Sequence, residues 1–293
     1  MRVSTNTVSN SILRQLTKLG EQQTLFNTQV ATGQRIFNPS DDPAAAGRVI
    51  SNQTEQRKIS QYLTNIGKAL ELSQATYGGL EKIKAVSDRA GELATLGAGA
   101  ISTDAMAAYA AEVDELIEEA VTLGNSRFGG DYLFAGTAVD TAPFTWNAAG
   151  DAIEYNGNTS QLGIPVSDGS AIKPGSAGAT NESIADFINQ LVGLRDALLS
   201  GDTTAVNDLR AGLEATEDVF VTALSGQGAV QMRLEVTQTQ HESRMDNLEQ
   251  VISNDADVDL TTAYVKLSRV STAYEAALAS SSNIMRMSLL DFL

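Results

Sequence analysis

The sequence predicts a mainly α protein, a long antiparallel helical bundle with N- and C-terminal coiled-coil helices and a small β-rich domain inserted between its halves. Three observations predict it. The five prolines, Pro39, Pro43, Pro143, Pro165 and Pro174, leave 44–142 and everything after 174 free of the residue that most often breaks helices. Those two stretches carry apolar residues at helical spacing amid Ala, Leu, Gln, Glu, Ser and Thr. The middle, 131–175, holds the one tryptophan and short Tyr, Phe, Ile and Val runs between glycines, which is strand and turn chemistry.

The first helix is predicted from Ile12, Leu16, Leu19, Gln23, Phe26 and Val30, which alternate steps of four and three along one seam and stop near Gly33. Asn38-Pro39-Ser40-Asp41-Asp42-Pro43 is a stop-and-restart signal. Its acids and serine can cap the next helix, and Pro43 suits the first helical position. That second helix is expected through Ile59, Tyr62, Ile66, Leu70, Leu80 and Ile83 to about Leu96, with Gly78 and Gly79 as a possible kink. The glycine-rich stretch Gly91–Gly99 reads as a turn, because it lacks the lysine of a phosphate loop and follows no strand. A third helix through Tyr109, Val113, Leu116, Ala120 and Leu123 then folds back, capped by Thr103 or Asp104.

Gly129 and Gly130 directly follow Phe128, so they are expected to form a hinge into the insert. Beyond it, Ile184–Leu198 and Val206–Phe220 predict two helices separated by Gly201, with a loosened point at Gly226 and Gly228. Helical spacing resumes from Val230 to Ile252, and after an acidic break it runs Leu260, Tyr264, Leu267, Ser271, Tyr274, Leu278, Ser281, Met285. Leu289 and Leu290 prolong this last stripe. The expected division is 1–40 with 255–293 as a terminal coiled-coil domain, 41–130 with 176–254 as the helical bundle, and 131–175 as a β-rich outer domain.

Both terminal seams mix Gln, Ser, Thr and Ala with their apolar residues, so one helix pair buries little apolar area. Helix nucleation is costly and most helical stability in proteins comes from packing, so both ends are expected to be largely disordered in a free monomer and ordered by assembly. The alternative is closure onto an ordinary intramolecular bundle. In the assembly reading the interface is Ile12, Leu16, Leu19, Phe26, Val30, Leu260, Tyr264, Leu267, Tyr274, Leu278, Met285, Leu289 and Leu290, and the hinges are Asn38, Pro39, Asp41, Asp42, Pro43, Gly129 and Gly130.

Composition narrows the chemistry. The chain of 293 residues has no cysteine, which excludes thiol catalysis, disulfides and thiolate metal sites together. Its 36 acidic against 20 basic residues give a formal charge of -16, which repels nucleic acid and anionic membrane surfaces. The basic start lacks the apolar core and cleavage site of a secretory signal, and no run is long enough to span a membrane. One histidine, His241, leaves little for acid–base catalysis, so an enzyme and any cofactor are disfavoured.

The segments MRVSTNTV at 1–8, LFNTQVATGQRIFNPSDDPAAAGRVI at 25–50 and LSRVSTAYEAALASSSNIMRMSLLDFL at 267–293 resemble the flagellin superfamily. The likeness covers both arms in order and is weaker over 138–200. NSRFGGDYLFAGT at 125–137, Pro143-Phe144, the short middle and the SLLDFL ending are similar to the members that join hook to filament. Filament flagellins commonly end in a different apolar segment containing arginine. The resemblance implies a terminal coiled coil lining an inner tube, a helical domain outside it and a smaller β-containing domain facing solvent. It also implies an extracellular place on the bacterial flagellum, export through the flagellar type III channel without a cleaved signal, and a flagellar export chaperone. The partners it implies are further copies of the chain in the axial tube, other hook-associated proteins and flagellin.

Three patterns resist a catalytic or metal reading. His241-Glu242-Ser243-Arg244-Met245 opens like a zinc-protease helix, but Met245 stands where the second histidine is needed, so His241 reads as a residue at a seam edge. Asp255, Asp257 and Asp259 open like a calcium loop, but Leu260 and Lys266 replace its glycine and glutamate. The three read instead as a negative cluster at the start of the last helix. Glu112, Asp114, Glu115, Glu118 and Glu119 read as a solvated helix face. A secretion-needle component shares weak end helices and absent cysteines but not the NPSDDP and SLLDFL segments.

Overall fold

A computed structural model describes the backbone of residues 2–100 and 102–290 and the side chains of 10–100 and 102–283. Among the described residues there are six helices: α1 (Arg2–Thr32), α2 (Pro43–Ala98), α3 (Thr103–Gly124), α4 (Gly178–Ser200), α5 (Thr203–Ala256) and α6 (Leu260–Leu290). Between α3 and α4 lie six short strands, β1 (Arg127–Phe128), β2 (Asp131–Tyr132), β3 (Phe144–Trp146), β4 (Ile153–Tyr155), β5 (Ile164–Ser167) and β6 (Ser170–Ile172).

Helix boundaries follow local chemistry. Asp42 Oδ1 accepts the Ala45 N–H at 3.0 Å, which makes Asp42 the cap and Pro43 the first residue of α2. At α3 the cap is Ser102, whose Oγ accepts from Ala105 N at 3.1 Å, where Thr103 or Asp104 was expected. The chain enters the helix one residue earlier than the apolar spacing indicates. Gly201 ends α4 in the left-handed region at φ 70°, and Asp202 then caps α5 through the Thr204 and Ala205 N–H groups.

Two expected interruptions are absent. The stretch 91–98 is helical, and Gly97 is a packing position, since a Cβ there would lie 2.5 Å from Leu198 Cδ2. Likewise α5 runs unbroken through Gly226 and Gly228. Each glycine costs only about 1 kcal/mol against alanine in a helix, which the flanking packed turns offset. The possible kink at Gly78 and Gly79 is also unbroken helix, with Gly79 seating Phe134.

The chain forms two compact units, Ile59–Ser243 and Met1–Lys58 with Arg244–Leu293. In the first, Leu80, Ile83 and Leu93 of α2, Val113 and Ile117 of α3, Ile184, Phe187 and Leu191 of α4, and Leu213 and Phe220 of α5 are buried in one core. Phe187 meets Phe220 edge to face at 5.5 Å. The insert is three separate antiparallel hairpins, β1–β2, β3–β4 and β5–β6. Each is too short to stand alone, and their apolar residues plug the helical cores. Phe144 packs against Gly124, and Phe134 is fully buried. Gly129 and Gly130, at φ 63° and 103°, form the two-residue turn of β1–β2, where only glycine adopts both angles without strain.

The β5–β6 hairpin closes a smaller cluster of Val166 and Ile172 with Ile66, Ala69 and Leu234. His241 serves this packing: its Nε2 donates to the Val166 carbonyl at 2.7 Å, and its ring stacks on Tyr62, whose hydroxyl donates to Asp168 at 2.8 Å. The carboxylates of α3 include two paired groups, Glu112 with Arg89 at 2.6 Å and Asp114 with Arg195 at 3.1 Å.

Candidate assembly interface

In the unit formed by both chain ends, α1 packs along α6. On α1 the predicted seam is the seam observed. Ile12, Leu16, Leu19, Gln23, Phe26 and Val30 are half-buried, whereas Leu13 and Leu25 are 52% and 43% exposed. Gly20 brings the backbone close to the Tyr274 ring, and Gln23 Nε2 donates to Ser271 Oγ at 3.4 Å. Lys266 Nζ sits 6.0 Å from the centre of the Phe26 ring.

On α6 the contact stripe overlaps the predicted one in Leu267, Ser271, Tyr274 and Ser281 and departs from it at Leu260, Tyr264 and Leu278. Ala263 and Ser281 are buried and Leu267, Val270, Ser271, Tyr274 and Ala277 are half-buried, so small residues let the two backbones approach. Leu260, Tyr264 and Leu278 are 53%, 65% and 45% exposed, and Val265 is 42% exposed. The four-three stepping therefore holds two neighbouring stripes, one against α1 and one facing out. Periodicity reads only their sum. Met285, Leu289 and Leu290 belong to α6, but their side chains lie outside the described residues. The intramolecular pairing weighed as the alternative for the chain ends is the arrangement of α1 and α6 in this single chain.

The roots of both helices meet at a polar corner. In the loop after α1, Asp41 Oδ2 accepts the N–H groups of Asn38 at 2.9 Å and Phe37 at 3.0 Å, and these two bonds hold its carboxyl below the ordinary range. Asp42 is also lowered, first by the Ala45 N–H it caps. The turn 38–43 is thus closed by its own side chains. Gly129 and Gly130, the other pair expected as a hinge, lie in the other unit.

Beside that turn, Arg35 N donates to the Ala256 carbonyl at 2.7 Å and Val258 N to the Gly33 carbonyl at 2.8 Å, around an antiparallel bridge of Gln34 with Asp257. Arg48 grips Asp255 through Nε at 2.9 Å and Nη2 at 2.6 Å, and this bond is the first cause of the lowered Asp255 carboxyl. Arg35 Nη2 reaches the Asp255 carbonyl at 2.6 Å. The three aspartates expected to cluster at one helix start therefore separate. Asp255 ends α5, Asp257 accepts from Ser253 Oγ at 2.6 Å, and only Asp259 caps α6, through the Thr261 and Thr262 N–H groups. The ties of Arg35 and Arg48 to Asp255 escape sequence reading because the contacting residues stand 220 and 207 positions apart.

Among the described residues, no three His, Cys, Asp or Glu side chains are grouped to hold a metal ion, and no helix is long and apolar enough to cross a membrane. The geometry offers surface and packing.

Comparison with known proteins finds similarity to flagellar proteins. Residues 3–139 match the bacterial flagellin N-terminal helical region. The chain is 30% identical over 147 residues to flagellar hook-associated protein 3 of Escherichia coli, covering 50% of this chain and 46% of that protein. It is 28% identical over 181 residues to flagellar hook-associated protein 3 of Salmonella typhimurium, covering 61% and 56%. The chain thus spans about half the length of these curated relatives. The crystal structure of FlgL from Bacillus cereus shares the fold with a TM-score of 0.61 at 19% identity, over 69% of this chain and 99% of that one.

Proposed function

We propose that this chain belongs to the flagellin superfamily and is a non-enzymatic structural subunit joining hook to filament in the bacterial flagellum. One observation carries the mechanism: the α1–α6 pair has one seam against itself and leaves Leu13, Leu25, Leu260, Tyr264 and Leu278 facing out. An apolar surface left open along paired helices is buried when copies stack around a common axis. Residues 1–40 with 255–293 form the assembly domain, 41–130 with 176–254 the supporting bundle, and 131–175 the outer insert. The subunit works outside the cell, escorted to export by a chaperone, with flagellin and other hook-associated proteins as neighbours.

Removing 1–30 or 260–293 tests this directly. Each truncate is expected to keep the 59–243 unit folded and to lose incorporation into flagella, whereas normal incorporation of either rejects the interface. Amide exchange in the monomer gives a second check. Exchange over most of 1–30 and 260–293 should be fast before assembly and slow after it, and full protection in the free monomer would reject ordering on assembly.

The match to the flagellin N-terminal region favours one second reading, the filament subunit itself. Gene deletion separates the two. Loss of a junction subunit leaves cells that shed flagellin into the medium, and loss of the sole filament subunit leaves nothing to shed.

A further inference from the structure

Asp255 sits in the last turn of α5, where helix carbonyls already present the negative end of the dipole. A carboxylate there is unfavourable unless cations answer it. Two do, from separate segments: Arg48 in α2 takes the carboxylate with two nitrogens, and Arg35 in the loop after α1 takes the backbone carbonyl. Arg35 also pairs with Asp42 at 3.4 Å, and Asp42 is the cap of α2. One aspartate is thereby tied to the loop after α1 and to the start of α2. The same place holds the backbone pairing of Gln34 with Asp257, two residues before the cap of α6.

We infer that Arg35 and Arg48, closed on Asp255, are positioning residues that turn the roots of α1 and α6 into one rigid corner. Both terminal helices then leave that corner in a fixed direction even where their far ends are loose. An incoming copy meets a pre-aimed pair, so less conformational freedom is lost when the lattice forms. This use rests on the proposed assembly function, whereas the corner itself does not.

The acidic groups around the corner are Asp41, Asp42, Asp255, Asp257 and Asp259, and the cations facing them are Arg35, Arg48 and, beside Asp259, Lys266. Because Arg48 lowers the Asp255 carboxyl, the clamp is complete above the ordinary carboxylate range. It opens as pH falls through the lowered value.

The test uses the full-length monomer and two amides, Arg35 and Val258, whose bonds cross the corner. Asp255→Asn or Arg48→Gln should speed exchange at both by roughly three- to tenfold at neutral pH, with the 59–243 unit unchanged. The double exchange Arg48→Asp with Asp255→Arg should recover part of the protection. Equal exchange in Asp255→Asn and the parent chain overturns the inference. Incorporation into flagella is scored on the same variants: reduced incorporation with normal export supports the positioning role. Fast exchange with normal incorporation rejects that role and leaves the corner as a local structural tie.

Discussion

The 59–243 unit and the unit made of the two chain ends use the same helical vocabulary to opposite effect. In the first, four phenylalanines, Phe134, Phe144, Phe187 and Phe220, are essentially inaccessible, and helices on several sides share them. In the second, the described buried side chains are few and mostly small: Ala45, Ala46, Leu248, Ala263 and Ser281. Burial of a large apolar side chain contributes about 1.5–3 kcal/mol, so the first unit closes its own account and the second does not. A helix face left open, repeated in every copy, is a request for neighbours.

The contrast can be broken most forcefully in the core. Phe187→Ala should destabilise the 59–243 unit by about 3–5 kcal/mol in denaturant unfolding, because it removes the partner of Phe220 and leaves a cavity. A loss below about 1 kcal/mol would mean that this unit is as loosely packed as the ends. Next comes Gly124→Ala. A Cβ there would meet Phe144 Cδ2 at 2.7 Å, so crowding should cost about 1–3 kcal/mol in the same measurement.

Ser102→Ala tests a smaller quantity, the cap of α3, and should lower the thermal midpoint by an amount equivalent to about 1 kcal/mol. Smallest of all should be Leu278→Ala and Tyr264→Ala, each within about 0.5 kcal/mol of the parent in the monomer. Those two nevertheless should reduce incorporation into flagella, which sharpens the distinction between stability and assembly. If they destabilise the monomer strongly, the exposed stripe of α6 has an intramolecular partner.

Where the sequence was legible, a residue's own chemistry decided the outcome. Pro43 and Asp42 start α2, Gly201 stops α4 and Asp259 restarts the chain as α6, each within the reach of two or three residues. The α1 seam was legible for a related reason, since only one of its faces is strongly apolar. Failures came where packing overrides local preference. Gly226 and Gly228 look like breaks yet lie inside a long helix with packed turns on either side, and Gly97 closes α2 as a packing position against Leu198. The stripe of α6 against α1 was legible only in part: Leu267, Ser271, Tyr274 and Ser281 lie on the four-three series, whereas Ala263, Val270 and Ala277 lie beside it, and small alanines give periodicity little signal although they let two helices come close. The corner was invisible altogether, because nothing near Arg48 announces an aspartate at the far end of the chain.

Gly79 and Gly124 act as sockets for Phe134, just after β2, and Phe144, at the start of β3. A peg in a socket fixes registration: sliding the insert by a residue along the helices would expel both rings at once. Growth or shrinkage of the middle segment is thus confined to its turns, such as the tip around Gly150 between β3 and β4. Decoration on this scaffold can vary in size there while the points at which it is bolted to the helices stay put.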